Sequence, residues 1–175
     1  MFFIKSEEEI SICPDCGEPL DYHSRVIRPL RDITGKEELY NIRVLKCVNK
    51  ACPSKYHREL PDIIVPYKRY SAESIENAIG QDETIVAADE STIYRWRKWF
   101  NTNATYITMA LLGVLITIAG NKETSSLNIE KQRIDAPVEW IKTTTGRTVR
   151  WLSEIVRILV NSSRWIVNRS AFLSG

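Results

Sequence analysis

The chain has 175 residues and a mass of 20.2 kDa, enough for one medium domain or two small ones but not for a large catalytic scaffold such as an eight-fold β/α barrel. Hydrophobic residues make up 43% and charged residues 26%, the balance of a chain that buries a core, which excludes a disordered segment. The net charge of +2 excludes a uniformly basic nucleic-acid coat, so any such contact must come from local patches.

The opening segment MFFIKSEEEI has no basic start, long apolar run or small-residue cleavage site, so a reducing, cytoplasmic setting is expected. In that setting the four cysteines are expected to bind metal rather than to pair as disulfides. Cys13-Pro14-Asp15-Cys16-Gly17 is a C-x2-C knuckle, and Cys47 to Cys52 is a C-x4-C knuckle, with 30 residues between them. Two tight turns that each present two thiolates supply the four soft ligands that tetrahedral zinc requires. Cys13, Cys16, Cys47 and Cys52 are therefore the expected ligands of one structural Zn2+, with no open position for a substrate. His57, five residues past Cys52, is an alternative donor that would replace a cysteine, and His23 is a more remote one.

Between the knuckles, residues 24–28 and 40–45 alternate as β-strands around a turn at Thr34-Gly35-Lys36, completing the outline of a zinc ribbon over 1–62. The hairpin carries Arg25, Arg28, Arg31, Arg43, Lys46 and Lys50 with Tyr22 and Tyr40 between them, a composition suited either to phosphates or to a solvated face.

After a Pro-bounded linker, residues 66–100 have the punctuation of a helix-turn-helix. Ser71 caps a helix that stops at Gly80, a second short helix is expected from Asp82 to about Asp89, and a third opens at Ser91 and runs to Phe100. In the third, Ile93, Trp96 and Phe100 share one face, while Thr92, Tyr94, Arg95, Arg97 and Lys98 point away from it. An apolar back with donors in front is what a recognition helix needs to reach bases and phosphates in a major groove. The candidate DNA contacts are thus Thr92, Tyr94, Arg95, Arg97 and Lys98, with Lys68 and Arg69 at the backbone.

The order of motifs adds to this reading. Cys47 to Cys52, His57-Arg58-Glu59-Leu60-Pro61-Asp62, Pro66-Tyr67-Lys68-Arg69-Tyr70 and Ser91-Thr92-Ile93-Tyr94-Arg95-Trp96 resemble an uncharacterised bacterial family that joins a zinc ribbon to a helix-turn-helix, similar to the N-terminal DNA-binding regions of insertion-sequence transposases. The resemblance covers about residues 10–100 and implies double-stranded DNA as partner and Cys13, Cys16, Cys47 and Cys52 as ligands. A transposase would continue into a nuclease domain with three separated carboxylates. Here only Glu123, Glu130, Asp135, Glu139 and Glu154 follow Phe100, without a strand pattern, so no enzymatic activity is expected.

The last segment, 101–175, carries a net charge of +4. Residues 104–119 form a 16-residue apolar run, shorter than a bilayer span and interrupted by Thr105, Thr108 and Thr117, so a helix buried in a bundle or dimer interface is expected and a membrane span is not. Farther on, Arg147, Arg150, Glu154 and Arg157 line one helical face, and Val149, Leu152, Val156 and Leu159 another. Trp165, Ile166 and Phe172 suggest a docked final segment. The expected fold class is α+β: a four-cysteine zinc ribbon, a homeodomain-like helix-turn-helix at 66–100, and a helical packing or oligomerisation region at 101–175. The expected function is DNA binding, as a transcriptional regulator or transposition accessory factor. The alternative is an adaptor that docks a transposase or polymerase through the ribbon and the basic helix.

Overall fold

The computed structural model describes residues 2–3, 11–80, 86–119, 139, 142–143, 146, 150–162 and 164–165. It is an α+β molecule. Its β part is a long antiparallel hairpin, β2 (Leu20–Arg31) and β3 (Glu37–Cys47), flanked on the free edge of β3 by two short strands. These are β1 (Phe2–Phe3), parallel to β3 at Tyr40 and Asn41, and β4 (Tyr56–Arg58), antiparallel to it from Val44 to Lys46. The pairing starts at Leu20↔Cys47 and closes at Arg31↔Glu37, so both strands run well beyond the cores expected from alternation alone. The tip is fixed by Asp32, whose carboxylate accepts the backbone N–H groups of Thr34 and Lys36 at 2.9 and 3.0 Å, while Gly35 takes the left-handed φ of 84° that the turn requires.

A bulge between Tyr22 and Ser24 divides the hairpin. Beyond it, Val26, Leu30, Tyr40 and Ile42 pack with Leu60, Ile63 and Ile64. At the opposite end, Leu20 packs with Cys13, Cys47 and Cys52.

The helical part has three elements: α1 (Ala72–Gly80), α2 (Glu90–Ala119) and α3 (Trp151–Asn161). Ser71 caps α1 as expected, its hydroxyl accepting the Ser74 N–H at 3.2 Å. Ile75, Ile79, Trp96, Phe100, Ile107, Leu111, Trp151, Leu152, Ile155 and Leu159 belong to one buried core shared by all three helices. Phe100 meets Trp151 edge-on at 5.4 Å between ring centroids, and Tyr70 meets Trp96 in the same way at 4.9 Å.

Three expectations change. The helix expected over 91–100 and the apolar run over 104–119 are one 30-residue helix, so a boundary at residue 100 falls inside α2. The reason is that the buried stripe continues unbroken through Phe100, Ala104, Ile107 and Leu111, and the polar run Asn101-Thr102-Asn103 contains neither Pro nor Gly to stop it. The second helix of the expected helix-turn-helix does not reach Asp89, because Val86 to Asp89 are a bend. The backbone N–H of Ala87 bonds the Ile33 carbonyl at the hairpin tip, at 3.0 Å, instead of a helical partner, and residues 82–85 lie outside the described ones. Finally, Arg150 is not on a helical face. It precedes α3 in a left-handed conformation, φ 61°, and the helix starts at Trp151.

Leu152, Val156 and Leu159 are buried on α3 as expected, and Trp165 lies 6.3 Å from Trp99. Arg147, Val149, Ile166 and Phe172 lie outside the described residues. Among the described residues, no helix is long and apolar enough to cross a membrane.

The two parts are joined at the hairpin tip. Arg31 N–H donates to the Arg69 carbonyl and Ser71 N–H to the Arg31 carbonyl, both at 2.8 Å. The Arg28 guanidinium, half-buried, donates to the carbonyls of Lys68 at 2.8 Å and Val65 at 3.3 Å.

Candidate metal centre and basic helix

The Cys13-Pro14-Asp15-Cys16 turn closes on itself through Gly17 N–H to the Cys13 carbonyl at 2.8 Å, with Gly17 at φ 75°, a conformation glycine enters without strain. Cys47 is the last residue of β3, and the turn after it is held by Cys52 N–H on the Asn49 carbonyl at 3.1 Å and Ala51 N–H on the Asn49 side chain at 2.9 Å. The two turns face each other across the base of the hairpin. All four sulfurs lie within 4.8 Å of one another, with Cys13 Sγ 3.7 Å from Cys52 Sγ and Cys16 Sγ 3.5 Å from Cys47 Sγ.

Those separations are chemically specific. A disulfide would bring two sulfurs to about 2.05 Å. A tetrahedron of thiolates about 2.3 Å from a central zinc has edges of about 3.8 Å. The cysteines stand near the second spacing, each close pair joining one knuckle to the other. They can hold a metal ion, and the expected ligand set is the one the fold brings together.

The four thiols are electrostatically unequal. Burial acts upward on Cys13, but the backbone N–H groups of Asp15 and Cys16 outweigh it and its pKa is lowered. The Cys16 thiol is also lowered, first by the backbone N–H of Glu18. Burial pushes Cys47 up to about 12 and raises Cys52. The first knuckle thus holds the more acidic thiols, and a cation placed among the four sulfurs would favour the thiolate at each.

His57, on β4, stands beside this cluster. Its Nε2 is 3.4 Å from Cys13 Sγ and 2.9 Å from the carbonyl oxygen of Ser54. A carbonyl only accepts, so Nε2 carries the proton and has no lone pair to offer a metal. His57 also forms a second candidate group with Cys13 and Asp15, whose ligand atoms lie within 4.8 Å of one another, so it stands beside the cluster as its spacing allowed, with Nε2 a donor in the tautomer that the Ser54 carbonyl favours. His23 is stacked near Tyr56, with ring centroids 4.8 Å apart, and is in neither group of candidate ligands found among the described residues.

The candidate DNA-contacting residues divide into two sets. On α2, Trp96 and Phe100 are buried and Ile93 packs against the same core, as the spacing predicts. Tyr94 is 65% exposed, and Arg95 and Lys98 are also exposed. Arg95 folds back along its own helix, donating to the Ser91 carbonyl at 3.1 Å and the Thr92 hydroxyl at 2.9 Å. Thr92 is half-buried and donates both its N–H and its hydroxyl to Asp89 at 2.8 Å, which makes it part of the helix cap.

Arg97, although exposed, and the half-buried Lys68 are engaged with other parts of the fold. Arg97 Nε donates to the Ala78 carbonyl at 2.7 Å, satisfying an orphan acceptor in the last turn of α1 and fastening α1 to α2. The Lys68 ammonium sits 4.5 Å from the Trp99 ring centroid, and burial, with Arg95 nearby, pulls its pKa down to about 8. Arg69 is exposed, and its carbonyl holds the hairpin tip. On the hairpin, Arg43 pairs with Glu59 at 3.3 Å and Arg31 bonds the Tyr70 hydroxyl at 3.4 Å. The charge of these residues is plain from their type, but no pattern at this range announces that a guanidinium will end on a carbonyl 19 residues away.

A cavity of about 450 Å³ lies between the hairpin tip and α1, and Asp32, Glu38, Glu73 and Glu76 are among its lining residues. Its charge is the wrong sign for phosphate.

Fold and site together define a small α+β protein with a four-cysteine cluster able to hold a metal ion at one end of a hairpin and a helical unit at the other. The model of one family, a domain of unknown function (DUF6431), matches residues 13–96, from the first cysteine of the cluster to the buried Trp96. No curated protein and no solved structure matches the chain.

Proposed function

We propose that the chain is a zinc-dependent DNA-binding protein without catalytic activity, in which Cys13, Cys16, Cys47 and Cys52 hold one structural Zn2+ and the first turns of α2 read duplex DNA. The observation that carries the reading is the division of α2: Trp96 and Phe100 are locked in the core while Tyr94, Arg95 and Lys98 face outward from a rigid helix. Preorganised donors on a helix buried by its opposite face suit groove recognition. The resemblance of residues 10–100 to transposase DNA-binding regions supports the same reading, that of a cytoplasmic regulator or transposition accessory factor.

A second reading, an adaptor docking a transposase, a polymerase or a second copy of the chain, is favoured by apolar surface farther along α2, where Tyr106 is 48% and Met109 56% exposed.

The test is selection of sites from a random duplex library by zinc-loaded protein at near-physiological salt, since low salt rewards phosphate contact alone. The expected result is an enriched motif that disappears in Arg95→Ala with Lys98→Ala, a pair that spares the Arg97 tie to Ala78. Enrichment that survives this double substitution overturns α2 as the reading element. No enrichment by folded, zinc-loaded protein favours the adaptor.

A further inference from the structure

We infer that His57 is an outer-shell positioning residue of the metal centre, whose Nε2–H donates to the thiolate of Cys13. The inference rests on the reading of the four cysteines as ligands and adds a fifth functional residue to it.

Nε2 has two neighbours, the Ser54 carbonyl at 2.9 Å and Cys13 Sγ at 3.4 Å. The carbonyl fixes the proton on Nε2, and a metal-bound thiolate has no proton of its own, so the single N–H is shared between two acceptors. The sulfur distance is that of an N–H···S bond. Four thiolates around a dication leave two negative charges in a largely buried cluster, since Cys13, Cys47 and Cys52 are all buried. A donor aimed at one sulfur draws off part of that charge.

The placement follows from the register of the three-residue strand β4. β4 pairs Leu45↔His57 against β3, two residues before Cys47, so the same register that adds the strand sets the imidazole beside the first knuckle. Ser54 belongs to the turn after Cys52, whose Sγ also approaches the Ser54 carbonyl, at 3.5 Å. His57 therefore links a sulfur of the first knuckle to the backbone of the second, and resists their separation.

The experiment uses the full chain loaded with Co2+ and titrated against a chelator, with the visible spectrum recorded. Wild type is expected to show four-sulfur tetrahedral coordination. His57→Phe is expected to keep that coordination, to bind metal roughly 10–100-fold more weakly, and to move the sulfur-to-cobalt charge-transfer band to lower energy, because a thiolate that loses a hydrogen bond is a better electron donor. His57→Gln, which retains an N–H donor, is expected to recover most of the affinity and the band position. The inference is overturned if His57→Phe matches wild type in affinity and spectrum. It is equally overturned if wild type shows three sulfurs and one nitrogen and the nitrogen is lost in the variant, for then His57 is a ligand. Wild type that binds no cobalt would instead sink the four-cysteine reading itself. Should His57→Phe fail to fold, 113Cd-loaded wild type decides: coupling between the Nε2 proton and cadmium requires the hydrogen bond.

Discussion

Glu76 is 7% exposed, and a carboxylate that dry needs donors. It finds them at the start of α3, accepting the N–H of Arg150 at 2.8 Å on one oxygen and of Leu152 at 2.9 Å on the other. A side chain of α1 thus performs the capping that a residue preceding α3 would ordinarily supply, and its charge meets the positive end of the helix dipole. Burial raises its pKa, although those same N–H groups and Lys142 act in the opposite sense. Removing the acceptor leaves buried N–H groups without partners, so Glu76→Ala is expected to lower stability by about 1–3 kcal/mol in denaturant unfolding. Asp89 caps α2 in the more usual local way and has the opposite sign of shift. Hydrogen bonds from Ser91 and Thr92 hold its carboxyl at about 2, below its ordinary 3.8. A depressed pKa contributes stability above the unfolded value and loses it as pH falls through the folded one. The stability gap between wild type and Asp89→Ala is therefore expected to be full above about pH 4 and to narrow toward about pH 2, as measured by thermal melts across that range. Ser71 was legible as a cap because its partner lies three residues on, whereas the third helix was expected to open at Ser91 and Asp89 holds that place; Glu76 was not legible, because its partners lie 74 and 76 residues away.

At the scale of elements, α2 decides the architecture. The strands were legible from alternation and the knuckles from spacing, yet the third helix was expected to end at Phe100, just before the polar triplet Asn101-Thr102-Asn103. Local propensity there is poor, but Ala104 and Ile107 continue the buried stripe, and packing overrides propensity. Asn103 even bonds back to the Trp99 carbonyl at 2.7 Å through its side chain, the habit of a residue that competes with the helix without breaking it. Continuity has a direct test. Asn103→Pro would clash with the carbonyl of Trp99 inside a single helix, at a cost of about 3 kcal/mol or more, whereas two helices joined at that point would tolerate it. We expect the large loss, read by helical circular dichroism and the unfolding midpoint. Conversely, the acidic opening Asp82-Glu83 suggested a helix through Asp89, and the tertiary bond from Ala87 to Ile33 explains why the end of that segment is a bend.

For the whole molecule, the two ends draw on different sources of stability. The helical core buries Phe100, Trp151, Ile107 and Leu159 completely or nearly so, enough apolar surface to stand without an ion. Among the described residues the knuckle end packs Leu20 against three buried cysteines, so if these hold the proposed Zn2+ its order is expected to depend on that ion. Chelation is expected to raise amide hydrogen exchange in the two knuckles and in β4 while leaving α1, α2 and α3 protected. Uniform loss of protection would mean that the ion holds the helices as well. Much of this division could be anticipated from the clustering of all four cysteines before residue 60, but not the way the parts join, since that seam is made largely of backbone groups, with the Arg28 guanidinium, and carries no sequence signature.

That seam has a consequence for the proposed reading of duplex DNA. Because Arg31 exchanges backbone bonds with Arg69 and Ser71, and Arg28 holds the Lys68 carbonyl, the hairpin is spliced to the helical unit and does not hang from it by a linker. If α2 reads duplex DNA as proposed, the molecule would act as a bracket of fixed length, its four-cysteine end and the start of α2 keeping one angular phase. A flexible pair of modules would accept contact points at many separations; a bracket accepts one, and half a helical turn of DNA inserted between two contacted segments would set them on opposite sides of the duplex.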